Sequence, residues 1–260
     1  MEIHILASGS DGNSTLVKSG NSCILIDAGF GPRNLRQRLT RIGISATELQ
    51  ACFLTHEHRD HVIGLGFRGY PQIPIYANTL TRDACVEQYP NTERCNWQEI
   101  AVGGSARVGA FRVSSFAISH DAVCSVGYSI TAQGQTMVYA TDLGQSNREL
   151  IEAIGSADVV VLESNHDAEM LSSGPYPRFL KHRVRSRRGH LSNSQTAETL
   201  SSALTQRTRL VILAHLSRTN NRPCIALKTV SAKLEQRLGL HENLRLQTAP
   251  PLASKQTASF

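Results

Sequence analysis

Short apolar runs alternate with glycine-rich turns along the first part of the chain. Each run is bounded by Gly, Asn, Asp or Ser, which predicts β-strands rather than helices. The predicted strands span residues 3–8, 14–19, 22–27, 51–55 and 73–78. Residues 31–43 predict a helix instead, because Pro32 lies near its first turn and Gly43 follows its end.

The second part of the chain repeats this alternation. The predicted strands span residues 106–119, 126–131, 135–142, 157–164 and 209–215, and the predicted helices span residues 145–155, 192–204 and 223–239. Each half thus runs roughly β-β-β-α-β, which is typical of two sheets packed face to face with helices outside. We expect one domain over residues 1–248 and a disordered tail over residues 249–260.

The composition indicates a globular enzyme without a membrane segment. A hydrophobic fraction of 40% and a charged fraction of 18% are ordinary for such a protein. No apolar run approaches the ~20 residues that a bilayer requires, and the start MEIHILASGS lacks the basic region of a secretory signal, so we expect a cytoplasmic protein. The six cysteines form no CxxC pair, which argues against a disulfide framework.

The formal net charge of +6 only mildly favours a polyanionic partner, but its distribution is uneven. The segment RFLKHRVRSRRGH, residues 178–190, is rich in Lys and Arg and contains no acid. It could form a solvated basic surface, or it could bind substrate phosphates.

The segment FLTHEHRDHVIG, residues 53–64, concentrates potential metal ligands directly after a predicted buried strand. The ligand-type residues are His56, His58, Asp60 and His61. Imidazole nitrogen and carboxylate oxygen suit zinc, manganese or iron, and core packing does not explain such a cluster. Because alternate residues can face one way, His56 and His58 could bind one ion, and Asp60 and His61 a second.

Further ligand-type residues lie where other predicted strands end. His120 follows FAIS, Asp142 ends TMVYATD, and His215 ends LVILAH. Several apolar strands that each end at such a residue are expected if their carboxyl ends meet at one site. The sequence therefore predicts a metal centre built from both halves.

These residues resemble those of the metallo-β-lactamase superfamily. The motifs LASGSDGNST, SHDA, LESNHDAEML, GHLSN and AHLSRTNN narrow the resemblance to the YycJ/WalJ group of bacterial nucleases, over about residues 3–238. The resemblance implies a four-layer αβ/βα sandwich with two divalent transition metal ions, Zn, Mn or Fe, at its upper edge. It implies that His56, His58 and His120 bind the first ion, that Asp60, His61 and His215 bind the second, and that Asp142 bridges them.

An aspartate rather than a cysteine at the bridging position argues against a β-lactamase. It favours the phosphodiesterase, lactonase and thioesterase branches that the resemblance implies. Two metals ~3.5–4 Å apart can share a hydroxide and clamp the oxygens of a phosphate. Asp60 is then a ligand and a candidate proton acceptor for the attacking water.

His190 is a second candidate catalytic residue. It follows the basic segment and precedes a predicted helix, so it could donate a proton to the departing oxygen or bind a phosphate. The alternative is that it caps the helix or faces water. We expect Arg185, Arg187 and Arg188 to contact phosphates.

Asn13, in the turn GSDGNS, is a candidate substrate contact, because the resemblance places this turn beside the metals. The turn residues also suit a plain hairpin. Asn165 and His166 are expected to support the ligands from behind or to cap a loop. The roles of Asn220 and Asn221 stay open.

The leading hypothesis is a dinuclear metal-dependent phosphodiesterase that acts on nucleic acid, specifically a DNA exonuclease. The alternative is a small-molecule ester hydrolase of the same fold, such as a cyclic phosphodiesterase, a lactonase or a thioesterase. Such an enzyme would not need the basic segment. A non-catalytic binding module is disfavoured because all seven ligand-type residues are present.

Overall fold

Two mixed seven-stranded sheets form the centre of the molecule. The computed structural model describes residues 1–238, 243–249 and 258–259. The first part of the chain supplies β1 (Glu2–Ala7), β2 (Ser14–Ser19), β3 (Ser22–Ile26), β4 (Leu49–Phe53), β5 (Ile75–Ala77) and β6 (Trp97–Glu99). The remaining strands are β7 (Ser105–Val108), β8 (Phe111–Ala117), β9 (Val126–Ala132), β10 (Gln135–Ala140), β11 (Val159–Glu163), β12 (Leu210–Ala214), β13 (Arg245–Thr248) and β14 (Ala258–Ser259).

The two sheets have matching orders. The first sheet is β14-β1-β2-β3-β4-β5-β6, and the second is β13-β12-β11-β10-β9-β8-β7. In the first sheet β3, β4, β5 and β6 are parallel, and β1 pairs antiparallel with β2, which pairs antiparallel with β3. In the second sheet β10 to β13 are parallel, and the β8–β9 and β9–β10 pairs are antiparallel. As a result β1, β3 and β4 share one direction, and so do β8, β10, β11 and β12.

The described residues also form helices, most of which cover the outer faces of the two sheets. They are α1 (Pro32–Arg41), α2 (Arg59–Val62), α3 (Thr79–Gln88), α4 (Arg148–Gly155), α5 (Ala168–Ser173), α6 (Arg178–Arg185), α7 (Asn193–Ala203) and α8 (Pro223–Leu238). One apolar core lies between the sheets and includes Phe53 and Tyr128. A second core packs α1 and α3 on the first sheet, and a third packs α4, α7 and α8 on the second.

These layers confirm the four-layer αβ/βα sandwich predicted from the sequence. The helices α1, α4, α7 and α8 and the other predicted strands are present, with boundaries shifted by a few residues, but the single strand predicted over residues 106–119 is wrong. It is the antiparallel pair β7 and β8, because the chain turns at Gly109, whose φ is 54°. The strands β6, β13 and β14 were not predicted. The helices α2, α3, α5 and α6 were not predicted. Each of α5 and α6 buries a single residue, Leu171 and Val184 respectively, so neither produces a clear apolar period.

The predicted domain limits and the predicted cytoplasmic location stay predictions. Most of the expected tail, residues 249–260, lies outside the described residues, and the described pair Ala258–Ser259 is hydrogen-bonded to β1. Within the described ranges, no helix is both long enough and apolar enough to cross a membrane.

Gly29 packs closely against the loop that contains Asn13 and against α2, near the carboxyl ends of the strands. Its N–H donates to the carbonyl of Asn13, whose own N–H donates to the carbonyl of Asp60. A Cβ at position 29 would overlap both of these backbone segments. We expect Gly29→Ala to destabilise the protein by about 1–3 kcal/mol, the usual cost of overpacking, in chemical denaturation.

Gly155→Ala is the matched control for this prediction. Gly155 is the last residue of α4, and a Cβ there would meet only the carbonyl of Ala203 at 3.6 Å, an ordinary contact. This variant should be neutral or more stable, because alanine loses less backbone entropy on folding. Equal stability of the two variants would contradict the tight packing at Gly29.

Candidate metal centre

The carboxyl ends of strands from both sheets meet at one edge of the sandwich. His56 lies three residues after β4, His120 three residues after β8, Asp142 two residues after β10, and His215 immediately after β12. The strand directions bring these four residues to the same edge. Asp60 and His61 join them from α2, the short helix that follows the β4 loop.

The seven ligands predicted from the sequence fall into groups that share members. Within each group, the potential ligand atoms lie within 4.8 Å of one another. One group is His56, His58 and His120, and another is Asp60, His61 and His215. Asp142 belongs to two further groups, one with His56 and His61, and one with Glu163, His190 and His215. The structure thus brings together both predicted ligand sets, with Asp142 between them.

Three acidic or imidazole residues of the site have left-handed backbone conformations, which only glycine adopts without cost. The φ angles are 63° at Asp27, 60° at Asp142 and 55° at His215. Each of these residues lies just after a strand. A non-glycine residue in this region costs on the order of 1 kcal/mol or more, so the surrounding structure must fix all three turns.

Asp27, which the sequence analysis missed, holds His61 from behind. Its carboxylate is fully buried, accepts hydrogen bonds from the N–H and the hydroxyl of Thr55, and lies 2.8 Å from Nδ1 of His61. Burial alone would lower the pKa of His61, but the carboxylates of Asp27 and Asp142 outweigh it and raise that pKa well above its usual value. Nε2 of His61 is left 3.3 Å from Oδ2 of Asp142.

Glu163 plays the corresponding part on the second sheet and was also missed. Its Oε1 lies 2.8 Å from Nδ1 of both His190 and His215, and its Oε2 accepts hydrogen bonds from the N–H groups of Leu143 and Leu191. Burial would raise the pKa of Glu163, but the two imidazoles outweigh burial and lower it to about 2. The pKa of His190 is raised to about 9, since Glu163 and Asp142 outweigh its burial.

Asp27 and Glu163 lie at the ends of apolar runs. The same pattern identified His120, Asp142 and His215 in the sequence. Asp27 directly follows the apolar run of β3, and Glu163 is the last residue of the apolar run of β11. Extending the strand-end argument to every apolar run would have included them. A strand-end carboxylate alone, however, does not distinguish a metal ligand from a residue that orients one.

Buried asparagine side chains join the loops that carry His190 and His215. Nδ2 of Asn221 donates to the carbonyls of Ser164 and Asn165 and to Oδ1 of Asn193. Nδ2 of Asn165 donates to the carbonyl of His215. These contacts give Asn165 the supporting place that the sequence predicted, and they place Asn221 in the same network.

His166 and Asn220 lie beside this network without completing it. Nδ1 of His166 and Oδ1 of Asn220 are buried and have no hydrogen-bond partner among the described residues. Burial lowers the pKa of His166 to about 4, so the imidazole is neutral near pH 7. The cap of α7 is Ser192, not His190, so the structure does not bear out the helix-cap interpretation of His190.

Asn13 is fully buried at the base of the centre. Its Nδ2 donates to Oδ2 of Asp60 at 3.0 Å and lies 2.9 Å from Nε2 of His61, while its Oδ1 accepts from the N–H of Gly9. The predicted substrate contact of Asn13 stays a prediction. The observed contacts orient Asp60 and His61.

The basic segment forms α6 and the loop that leads to His190. Arg183 forms an ion pair of 2.6 Å with Asp121, whose other oxygen lies 3.3 Å from Nε2 of His120. Arg188 donates to the carbonyls of His120 and Ala122. The segment therefore borders the His56, His58 and His120 group.

The predicted phosphate-binding arginines differ in their contacts. Arg188 holds the neighbouring loop, and Arg185 donates a weak hydrogen bond of 3.3 Å to the carbonyl of Ala168. The guanidinium of Arg187 is exposed, with no hydrogen bond or ion pair to any described residue. Their contacts with phosphate stay predictions, and Arg187 has the freest guanidinium for that role.

The donor set of the centre fits divalent metal ions. Oδ2 of Asp142 and Nε2 of His215 are buried and make no hydrogen bond of normal geometry to a described residue, although Oδ2 lies 3.3 Å from Nε2 of His61 and Nε2 of His215 lies 3.4 Å from Oδ1 of Asp142. Burying unpartnered polar atoms is costly, and a cation would give both of them a partner. Burial also lowers the pKa of His56 well below its usual value, which favours the neutral imidazole that binds metals.

The comparisons with known proteins agree with this geometry. Residues 23–216 match the family model described as the beta-lactamase superfamily domain. The chain belongs to the beta-lactamase superfamily. It is 32% identical to the exodeoxyribonuclease YycJ of Bacillus anthracis over 96% of each chain. It is 34% identical to the exodeoxyribonuclease WalJ of Streptococcus pneumoniae over 97% of this chain and 96% of that protein.

Within the superfamily, the chain therefore falls in the YycJ/WalJ-like group of metal-dependent hydrolases. Among solved structures, the zinc-bound crystal structure of PqqB from Methylobacterium extorquens superimposes with a TM-score of 0.71 over 100% of both chains, at 18% identity. The metallo-beta-lactamase fold protein YhfI from Bacillus subtilis superimposes with a TM-score of 0.69 over 95% of both chains, at 19% identity, which confirms the metallo-β-lactamase fold.

Glu163→Gln should destabilise the metal-free protein by about 3 kcal/mol, because breaking a buried charged pair leaves donors unpaired. The amide would turn an NH2 group toward either two imidazole N–H groups or two backbone N–H groups. The measurement is urea denaturation after chelator treatment. Glu152→Gln, at an exposed carboxylate paired with Arg148, is the control and should leave the stability nearly unchanged, because solvent screens this pair.

The pH dependence of this difference follows from the two shifted pKa values. The depressed pKa of Glu163 gives stability that is present above pH 4.5 and lost as the pH falls toward about 2. The raised pKa of His190 gives stability that is present below pH 6.5 and lost as the pH rises through about 9. The difference in unfolding free energy between wild type and Glu163→Gln should be largest between pH 4.5 and pH 6.5. A difference that does not change with pH would contradict the two pKa shifts.

Proposed function

We propose that the protein is a dinuclear metal-dependent phosphodiesterase that removes nucleotides from DNA ends. The observation that carries this proposal is the contact between a metal-ligand cluster and a basic helix. Arg183 of α6 pairs with Asp121, and Asp121 lies 3.3 Å from His120. The names of the two relatives, both exodeoxyribonucleases, support DNA as the substrate.

Two sets of residues would hold the metals. His56, His58 and His120 would bind one ion, Asp60, His61 and His215 the other, and Asp142 would contact both. Bound divalent metals would make water a stronger nucleophile near neutral pH and would offset charge on a phosphate. Asp27 and Glu163 hold the Nδ1 atoms of His61 and His215, which leaves the Nε2 atoms toward Asp142.

Two side chains are placed to move protons. Asp60 is partly exposed, and Asn13 fixes one of its oxygens, so its carboxylate can accept a proton from the attacking water. His190 is partly exposed, and Glu163 fixes its Nδ1. Its Nε2 makes no hydrogen bond to a described residue and can donate a proton to the departing oxygen.

The basic segment would hold the DNA strand. The exposed side chains of Arg178, Arg185 and Arg187 lie on α6 or in the loop after it. Their contacts with phosphates would release counterions from DNA, so binding should weaken steeply with salt. A small ester would gain nothing from this surface, which is why we favour the nuclease over the small-molecule hydrolase.

Asp142→Asn should abolish DNA cleavage while leaving the fold intact. Asparagine is nearly isosteric, but it lacks the charge that would offset two cations. The assay is release of nucleotides from end-labelled single- and double-stranded DNA by metal-reconstituted protein, with elemental analysis of bound metal. Wild type should lose activity with chelator and regain it with metal, and the variant should bind less metal.

Asp158→Asn is a control for this variant. Asp158 pairs with Arg207 and accepts a hydrogen bond from the N–H of Thr136, outside the centre, so its loss should leave cleavage unchanged. Near-normal cleavage by Asp142→Asn would remove Asp142 from the metals. If wild type cleaves small esters and no DNA, the small-molecule hydrolase replaces the nuclease.

His190→Ala should lower kcat by ~10²–10⁴-fold and retain both metals, because general acid catalysis typically contributes that much. The measurements are single-turnover cleavage and metal content on the same preparation. His182→Ala removes an exposed imidazole of α6 and should change neither quantity substantially. Loss of metal from His190→Ala would show that His190 is a ligand rather than an acid.

A further inference from the structure

We propose that Phe179 is a stacking platform for an unpaired base of single-stranded DNA, next to the metal centre. This inference rests on the proposed nuclease function and specifies the form of its substrate. It assigns one aromatic side chain of the basic helix to base contact and the neighbouring cations to the phosphates.

Phe179 is 74% exposed, so core packing does not explain its presence on α6. The buried side of this helix is formed by Val184, with Leu180 half-buried one turn earlier. A helical residue at position 179 lies about 100° around the axis from position 180, outside that apolar stripe. The ring thus occupies a polar surface, where it is free to contact a ligand.

Phe179 shares a flank of α6 with Arg183, which contacts the metal centre through Asp121. It precedes Arg183 by four residues, and side chains at this spacing share a helix flank about 6 Å apart. Arg183 pairs with Asp121, the neighbour of His120. Phe179 is therefore on the flank of α6 that faces the His56, His58 and His120 group.

The other flank of α6 is held by α5. Nζ of Lys181 donates to the carbonyl of Ser172, and Arg185 donates to the carbonyl of Ala168. Together with the Arg183–Asp121 ion pair on the opposite flank, these contacts restrict the rotation of α6 about its axis. The exposed ring is thus presented by a positioned helix, and a pre-positioned aromatic ring loses little conformational entropy when it binds.

The chemistry of this surface matches a nucleotide chain. Cations bind phosphates, and an aromatic ring stacks on a base of any identity, which suits an exonuclease without sequence preference. A base can use such a ring only when its face is not already covered by a neighbour in the duplex. The combination of Phe179 with Arg178 and Arg187 therefore favours a single strand near the site.

The test measures binding without turnover. The background is the Asp142→Asn protein, and fluorescence anisotropy follows labelled single-stranded oligonucleotides, matched oligonucleotides with one abasic position, and duplexes. Phe179→Ala should weaken single-strand binding roughly five- to a hundredfold, the range of one lost base stack. Phe179→Trp should restore it, and duplex binding should change less.

The abasic oligonucleotides isolate the stacking contact. For one abasic position, the loss caused by Phe179→Ala should disappear, because the base that stacks on the ring is already missing. Arg187→Ala should instead lower the salt slope by about one unit and keep the preference for the intact base. If Phe179→Ala lowers the affinity equally for intact oligonucleotides and for every abasic oligonucleotide, the proposed stacking contact is wrong.

Phe67→Ala is the matched control. Phe67 is 50% exposed and adjoins Arg68, but it belongs to the loop after α2 and not to the basic segment. This variant should bind single strands as the background protein does. If Phe179→Ala also does so, the inference is overturned while the nuclease proposal stands. If metal-reconstituted wild type also neither binds nor cleaves DNA, both the inference and the proposed function fail.

Discussion

Two buried carboxylates, Asp27 and Glu163, hold the imidazoles on which the metal centre depends. Each is fully buried and binds Nδ1 of a histidine at 2.8 Å: Asp27 holds His61, and Glu163 holds His215. Because Nδ1 is engaged, Nε2 is left for other partners, and both Nε2 atoms lie within 3.4 Å of an oxygen of Asp142. The carboxylates thus set both the ring orientation and the nitrogen that is presented to a metal.

The two carboxylates also explain why the site lies between the sheets. Asp27 follows β3 in the first sheet, and Glu163 ends β11 in the second. The first sheet thus contributes Asp27 with His61, and the second contributes Glu163 with His215. Asp142, which has a left-handed backbone conformation, lies within 3.4 Å of both imidazoles. Packing of the shared core fixes the distance between the sheets, so the stability of the sandwich and the geometry of the centre are linked.

The sequence predicted the parts of this arrangement that leave a local pattern. Apolar runs that end at His120, Asp142 and His215 indicated converging strands, and the cluster from His56 to His61 indicated metal ligands. Left-handed turns leave no such pattern when the residue is Asp or His. The sequence also could not show that Asn13 is buried against Asp60, because a polar turn residue is usually exposed. Burial of polar side chains depends on contacts between distant segments, which a linear pattern does not encode.

The structure also divides the arginines of the basic segment into two kinds, which the charge pattern alone cannot do. Arg183 is neutralised by Asp121, and Arg188 is occupied with backbone carbonyls, so both hold the loop that carries His120. Arg187 makes no such contact with the described residues and keeps its full charge for a ligand. A cation paired with a carboxylate adds little to the attraction of a phosphate. In the proposed nuclease, affinity for DNA would therefore come from fewer cations than the sequence suggests, and apolar contact with the bases would become correspondingly more valuable.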